Sequence, residues 1–362
     1  MKFSFVATFK NRDQKRIRLF LDSLQQQTNN DFELIFINQG SDADVNEWIE
    51  KIVLEYSFVD YYYNCTEGFL WNKGNALNVG IKAARGEYII VADVDLIFLP
   101  GYLESINNLL KPGLFITHNA LYIPESFIIN AIADVTNQEH NAQFEEAFHS
   151  ACVAEKQALI NINGYDEFYL VWGVEDDDII RRLRQSGQKQ KHISSNDLNI
   201  FHQWHPSVSF ARPSAWYLLM VNHLFSINQM TTFNSNWGIS YKIADRPVLN
   251  RMVSQRYKNS TRLGFNEGHR LFFFNSLMKQ FHELPTGETA YLSYAHIKPA
   301  VQATTSFSLF KRKKTKAVAA EEITINEVSQ FFQFFIGCNR PLMQDYYYKE
   351  SGNEFLFVCI KR

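Results

Sequence analysis

The chain predicts an α/β fold on a mostly parallel sheet with helices on both faces, and three features of its first hundred residues lead there. Apolar, strand-like runs alternate with stretches of helical periodicity at the pace of βαβ units. One run, Tyr88–Ala92, is apolar or small throughout and lies between Gly86 and Pro100, as a strand buried on both faces reads. Polar clusters recur where the strands end, at Thr8–Arg12, Asn38–Gln39 and Asp93–Asp95. Ligands of such sheets bind beyond the carboxyl ends of the strands, so these clusters mark the functional edge.

In chain order, residues 3–9 form the first strand, and the polar turn Lys10–Asp13 follows. Ile17, Phe20, Leu21 and Leu24 then fall at helical spacing. Asp31–Asn38 is the second strand, ending at the turn residues Gly40–Asp42, and Val45, Trp48, Ile49, Ile52 and Val53 line the second helix. Phe58–Tyr63 is a short third strand. Asn75–Ala84 is the third helix, with Gly86 placed to end it. The Asp-bearing strand comes next. Leu103–Leu110 reads as a helix, and the polar stretch Thr136–Glu146 as a loop or exposed helix. Beyond about residue 245 the pattern loses its order, although Phe331–Ile336 and Phe355–Ile360 are apolar enough to belong to folded elements. The basic run at 311–316 reads as a solvated linker, with contact to an anionic lipid or polysaccharide as the alternative.

A chain of 362 residues has room for one large domain and a smaller one. An apolar fraction of 46% and an aromatic fraction of 15% exclude a disordered chain. The net charge of −2 implies no general attraction to nucleic acid. Cys65, Cys152, Cys338 and Cys359 are widely separated and form no CxxC pair, which fits a reducing compartment rather than a disulfide framework or zinc knuckle. No apolar run approaches the ~18 residues of a membrane span. The expectation is a cytoplasmic protein, compatible with peripheral contact at the inner face of a membrane.

Three clusters carry chemistry. Asp93 and Asp95 would point the same way in extended backbone, and two such carboxylates repel unless a cation sits close by. Hard divalent ions such as Mg²⁺ or Mn²⁺ take oxygen ligands and bridge to substrate phosphates; a solvated pair opening a turn is the other reading. Trp172-Gly173-Val174 leads into Glu175-Asp176-Asp177-Asp178 and an arginine-rich helix ending at Gly187. Acids ahead of a helix suit its macrodipole, but that accounts poorly for four in a row or for the Trp-Gly pair. A mobile loop offering a flat surface to a sugar, followed by a carboxylate able to deprotonate a hydroxyl, accounts for both. Further on, His202 and His205 stand three apart, either as packed residues or as imidazole ligands completing a cation site.

Five segments in this order resemble the GT-A glycosyltransferases of family 2, and among them the β1,4-galactosyltransferase group and its bacterial relatives. They are Thr8-Phe-Lys-Asn-Arg12, Phe36-Ile-Asn-Gln-Gly40, Trp71-Asn-Lys-Gly-Asn-Ala-Leu-Asn-Val-Gly80, Asp93-Val-Asp-Leu-Ile97, and Ile162-Asn-Gly-Tyr165 followed by Trp172–Asp178. The resemblance covers roughly residues 1–210 and implies a GT-A domain over 1–245, with 246–362 as an accessory region. It implies a metal-dependent, inverting transfer of a hexose, galactose or N-acetylgalactosamine, from a UDP-sugar to a carbohydrate hydroxyl of a surface glycan. By position, the nucleotide-sugar contacts would be Thr8, Lys10, Arg12, Asn38, Trp71, Lys73, Asp93 and Val94. Asp95 and His202 would hold Mn²⁺ or Mg²⁺, with His205 as the fallback. Trp172, Gly173 and Glu175 would bind the acceptor, and Asp176 would be the catalytic base. Lysine stands at 10 and 73 where the family commonly has arginine, losing the bidentate phosphate fork. Asn199 stands where a methionine ligand is usual. Ala147 stands near a position where an aromatic narrows the donor pocket, so an N-acetylated donor fits. A sugar nucleotidyltransferase would need a glycine-rich loop at Thr8–Asp13, which holds no glycine. A non-catalytic binding protein on the same fold would not need the acids and histidines together.

Overall fold

The computed structural model describes residues 1–136, 144–171, 175–194, 200–206, 237–263, 270–294, 325–352 and 354–362. The chain divides into two compact units, one holding most of residues 1–242 and the other Gly68–Leu70 with Ile243–Arg362.

The first unit runs β1 (Phe3–Phe9), α1 (Gln14–Gln25), β2 (Phe32–Asn38), α2 (Ala43–Val53), β3 (Val59–Tyr63), α3 (Lys73–Ala83), β4 (Tyr88–Asp93), β5 (Leu96–Phe98) and α4 (Tyr102–Leu109). It continues through β6 (Leu114–Tyr122), α5 (Ala133–Thr136), β7 (Glu145–Glu155), α6 (Lys156–Asn161), α7 (Glu175–Gln185), β8 (Lys189–Ile193) and β9 (Ile200–His202). The strands form one sheet in the order β3-β2-β1-β4-β7-β6-β9-β5, with β8 beside β6. The first four pair in parallel, and β7 runs antiparallel to both β4 and β6.

Strand alternation explains why the parallel strands are apolar without interruption. Phe5, Phe36 and Ile90 face one core with Ile17, Phe20, Ile49 and Leu103. Their neighbours Val6, Ile35 and Val91 face a second core with Ala76, Leu77 and Ile81 of α3. Side-chain caps set the helix starts. Asp13 Oδ1 accepts from the Arg16 amide at 2.9 Å, and Asn72 Oδ1 accepts from the Asn75 amide at 2.8 Å.

Two expectations about local structure are corrected. Gly86 does not terminate α3, which ends at Ala83. It sits where a Cβ would lie 2.6 Å from the Ser4 amide nitrogen, so its role is close approach to β1. Glu145 and Glu146 are not loop residues but open β7, where Glu145 pairs with Tyr122. Strand pairing there overrides the polarity of the side chains. Residues 137–143 lie outside the described part of the chain.

The second unit is a four-stranded sheet with helices. Its strands are β10 (Thr261–Arg262), β11 (Thr289–Tyr294), β12 (Met343–Ser351) and β13 (Glu354–Lys361), in the order β10-β11-β13-β12. Phe332 and Phe335 of the helix Ile325–Asn339 pack on Phe357 at 4.9 and 5.8 Å between ring centroids. Arg246 is fully buried; its Nε donates to Asp345 Oδ1 at 2.8 Å, and its guanidinium lies 3.7 Å from the centre of the Phe69 ring. The basic run at 311–316 lies outside the described residues. Among the described residues, no helix is long and apolar enough to cross a membrane.

Candidate active site

Strand β4 ends at Asp93, and Val94–Asp95 form a turn before β5. Simple alternation along one strand therefore does not set the direction of the two carboxylates, contrary to the expectation for extended backbone. Val94 is buried in the core at their midpoint, and each acid has its own set of partners.

Asp95 meets imidazoles. Strand β5 pairs antiparallel with β9, placing Leu96 opposite His202, and the Gln203 amide donates to the Asp95 carbonyl at 2.8 Å. His202 Nε2 lies 3.7 Å from Asp95 Oδ1, and His205 Nε2 lies 3.3 Å from Asp95 Oδ2. The His202 ring is stacked on Tyr122 with centroids 4.3 Å apart and planes 18° from parallel. His205 Nδ1 lies 2.9 Å from the Pro206 carbonyl oxygen, and in the neutral ring that bond places the hydrogen on Nδ1 and the lone pair on Nε2. The hydrogen bond to Asp95 raises the His205 pKa despite the opposing effect of burial.

The residues fit a divalent cation. One ligand atom from each of Asp95, His202 and His205 lies within 4.8 Å of the others. Atoms bonded to one ion at about 2.1 Å lie at most about 4.2 Å apart, so the triangle would close around a bound ion. One carboxylate and two neutral imidazoles hold such an ion while leaving positions for phosphate oxygens. The structure thus brings all three together, including the histidine expected only as a fallback.

Asp93 meets an ammonium. The Asn72 cap starts α3 at Lys73, whose Nζ lies 3.3 Å from Asp93 Oδ1 and 3.4 Å from Asp176 Oδ2. Burial works against the charge on Lys73, but Asp176, Asp93 and Glu175 outweigh it and hold its pKa well above the usual lysine value. Burial, and then the neighbouring Asp176, raise the Glu175 carboxyl.

The four consecutive acids divide their roles. Asp178 is fully buried and pairs with Arg181 Nη2 at 2.7 Å and Arg182 Nε at 2.6 Å. Arg182 Nη1 donates to the carbonyls of Ile162 and Gly164 at 2.9 and 2.7 Å, which fastens α7 to a turn where Asn163 and Gly164 are left-handed. Asp177 is exposed. Asp178 therefore anchors the helix that presents Glu175 and Asp176 to Lys73. Trp172 and Gly173 lie outside the described residues, as does Asn199. Just before them, Val171 has φ +69°, a costly conformation for a β-branched residue, and its amide donates to the Trp71 carbonyl at 2.7 Å.

On the nucleotide side, Thr8 pairs with Asp93 across β1 and β4 and is buried. Lys10 and Arg12 flank Asn11, a left-handed residue at φ +51°. Asn11 holds the turn by donating from Nδ2 to Asp42 at 3.0 Å and from its amide to Ser41 Oγ at 2.9 Å. Asn38 is fully buried; its amide nitrogen donates to Asn46 and to the Tyr61 hydroxyl, and its Oδ1 accepts from the Ser41 amide. Trp71 is half-buried.

Sequence reasoning missed Tyr122 and Glu167. Glu167 accepts from Asn75 Nδ2 at 3.1 Å, Asn78 Nδ2 at 2.9 Å and the Gly238 amide at 2.6 Å, locking α3 to the segment before α7. Asn75 and Asn78, three apart on one helix, were the visible half of this network.

Acids, imidazoles and a lysine gather at the carboxyl edge of a Rossmann-like, mostly parallel sheet. Residues 4–116 match the family described as glycosyl transferase family 2, and residues 134–206 match the N-terminal domain of galactosyltransferase. Over these residues the chain is similar to the family 2 glycosyltransferases and to a galactosyltransferase segment. It is 32% identical over 102 residues to an uncharacterized glycosyltransferase of Rickettsia bellii, covering 28% of this chain and 14% of that one. It is 37% identical over 90 residues to a Bacillus subtilis protein designated as the glycosyltransferase EpsH, covering 25% of each chain. The matches thus span a quarter or less of these relatives' length. Among solved structures, S. aureus TarS (1–349) in complex with UDP-GlcNAc has a TM-score of 0.48 at 16% identity, covering 79% of this chain and 82% of that one. GalNAc-T7 with UDP, GalNAc and Mn²⁺ has a TM-score of 0.44 at 15% identity, covering 57% and 44%.

Proposed function

We propose that this protein is an inverting, metal-dependent glycosyltransferase that moves a hexose, galactose or N-acetylgalactosamine, from a UDP-sugar to a hydroxyl of a surface glycan. The observation that carries this reading is the gathering of Asp95, His202 and His205 at the end of β4, with Asp93 and Lys73–Asp176 at the same strand end. Asp95, His202 and His205 would hold Mn²⁺ in preference to Mg²⁺, because two imidazoles suit the softer ion. The bound ion supplies positive charge against the departing diphosphate.

The chain's own residues do the rest. Lys10, Arg12 and Lys73 add fixed positive charge around the diphosphate, the electrostatic contribution that is usually largest in such sites. Thr8, Asn38, Trp71, Asp93 and Val94 shape the uridine side, Asn38 by holding the turn and Val94 through its backbone. Asp176 takes the proton from the acceptor hydroxyl as its oxygen bonds to the anomeric carbon. The bond from that carbon to the diphosphate breaks on the opposite face, and UDP leaves. Glu175 holds the acceptor by hydrogen bonds, and Trp172 and Gly173 close over the two substrates and exclude water. In this reading residues 1–245 are the transferase domain and 246–362 an accessory domain.

The test is release of UDP from a panel of UDP-sugars, with and without Mn²⁺, in the presence of simple sugar acceptors. UDP release that requires both Mn²⁺ and an acceptor is the expected result. Binding of UDP-sugars without release under any of these conditions would leave a binding protein on a transferase fold.

A further inference from the structure

Trp204 stands between the two histidines that meet at Asp95, and no part of the proposed mechanism uses it. Its exposure is 42%, high for the largest side chain, which proteins usually cover. Among the described residues its indole makes neither a hydrogen bond nor a ring contact. A single exposed apolar residue is ordinary on a protein surface, so exposure alone carries nothing. Position and a fastened backbone carry the inference.

The backbone around Trp204 is fastened on both sides. His202 closes β9, stacks on Tyr122 and reaches Asp95 Oδ1. Gln203 is buried; its amide donates to the Asp95 carbonyl at 2.8 Å and its Nε2 to the Arg16 carbonyl at 3.2 Å. His205 turns back to Asp95 Oδ2 and lies beside the Pro206 carbonyl. Of these four consecutive residues, three are directed inward by named partners and one is left outward. The backbone that carries the indole therefore lies beside the candidate metal site. An uncovered aromatic face on a fastened backbone beside polar groups is suited to the apolar CH face of a pyranose.

We infer that Trp204 is a stacking platform for a pyranose ring seated next to the metal site, and so a specificity-determining residue for one of the two sugars in the reaction. The inference rests on the transferase reading. The shared chemistry is a pyranose face, and its source is either the acceptor or the transferred sugar of the donor.

The experiment compares wild type, Trp204→Ala and Trp204→Phe in the full chain with Mn²⁺. It measures KM for the UDP-sugar, KM for the acceptor, and Kd for UDP alone by calorimetry. Trp204→Ala should raise one of the two KM values by about five- to ten-fold. Trp204→Phe should restore most of that loss, and the Kd for UDP should match wild type. A rise in the acceptor KM assigns the platform to the acceptor; a rise in the donor KM with unchanged UDP affinity assigns it to the donor sugar. Both KM values unchanged would overturn the inference. So would a UDP affinity that weakens in step with them, because the indole would then be bracing the metal loop. If wild type releases no UDP from any UDP-sugar, the transferase reading fails separately. Saturation-transfer NMR with UDP-GalNAc and, separately, a free pyranose acceptor then decides on Trp204: sugar-ring signals of either lost in Trp204→Ala uphold the platform, and signals of both unchanged overturn it.

Discussion

Asp93 and Asp95 are two residues apart, and their surroundings differ in kind. Asp93 faces the Lys73 ammonium, which it shares with Asp176. Asp95 faces two imidazoles. An ammonium is a permanent positive charge at neutral pH, so the Asp93 side is neutralised by the protein itself. Imidazoles can be neutral and offer lone pairs, so the Asp95 side is open to a bound cation. The same residue type thus does opposite work according to its partners. The single residue between them, Val94, is buried in the core.

Substitutions can break or sharpen this contrast. The largest effect is expected on the Lys73 side. Asp176→Asn should lower kcat by about 10²- to 10⁴-fold, as loss of a general base does. Calorimetry should show its affinity for UDP and Mn²⁺ unchanged; a parallel loss of binding would make Asp176 a part of the charge clamp instead of the base. Asp95→Ala should lower kcat/KM by about 10³-fold, several kcal/mol of lost charge stabilisation. UDP affinity in that variant should no longer respond to Mn²⁺, whereas Asp93→Asn should keep the response. If Asp93→Asn abolishes it too, the two carboxylates act as one site and the contrast fails.

Support from behind the site should show in stability. Arg182→Met leaves Asp178 buried without one of its two partners and frees the turn at Gly164. A loss of about 3 to 5 kcal/mol is expected from breaking a buried pair, measurable by urea unfolding. Retained stability would mean that Arg181 alone satisfies the acid.

The smallest effect concerns Glu175, whose carboxyl is raised above its usual 4.5 by burial and by Asp176. Because the folded state binds that proton more tightly than the unfolded state, stability from this group is fully present below pH 4.5 and is lost as pH rises through the folded value. Glu175→Gln, which cannot ionise, should therefore raise Tm at neutral pH, and the gain should shrink as the pH falls toward 4.5. An equal gain across that range would assign the effect to packing.

The parallel strands were legible because burial on both faces demands unbroken apolar runs, as in Tyr88–Ala92. Gly187 was legible because helix ends leave unpaired backbone groups that favour particular residues. Gly86 was misread because a glycine near a helix end has two uses, and its close approach to Ser4 depends on a strand far away in sequence. Glu145 and Glu146 were misread because their pairing partners lie on β6. The role of Asp178 as a structural anchor was hidden among identical neighbours, since only burial against Arg182 distinguishes it from Asp176.

Residue order by itself determined the alternation of strands and helices and the placing of polar groups at strand ends, because period and polarity are local properties of the chain. It also supplied the acids, histidines and lysine that chemistry needs. Only the tertiary structure decided which of them meet. The antiparallel pairing of β5 with β9 carries two imidazoles to Asp95, and the cap of α3 carries Lys73 to Asp93 and Asp176. Those meetings depend on through-space distances between residues remote along the chain, and no local pattern encodes them.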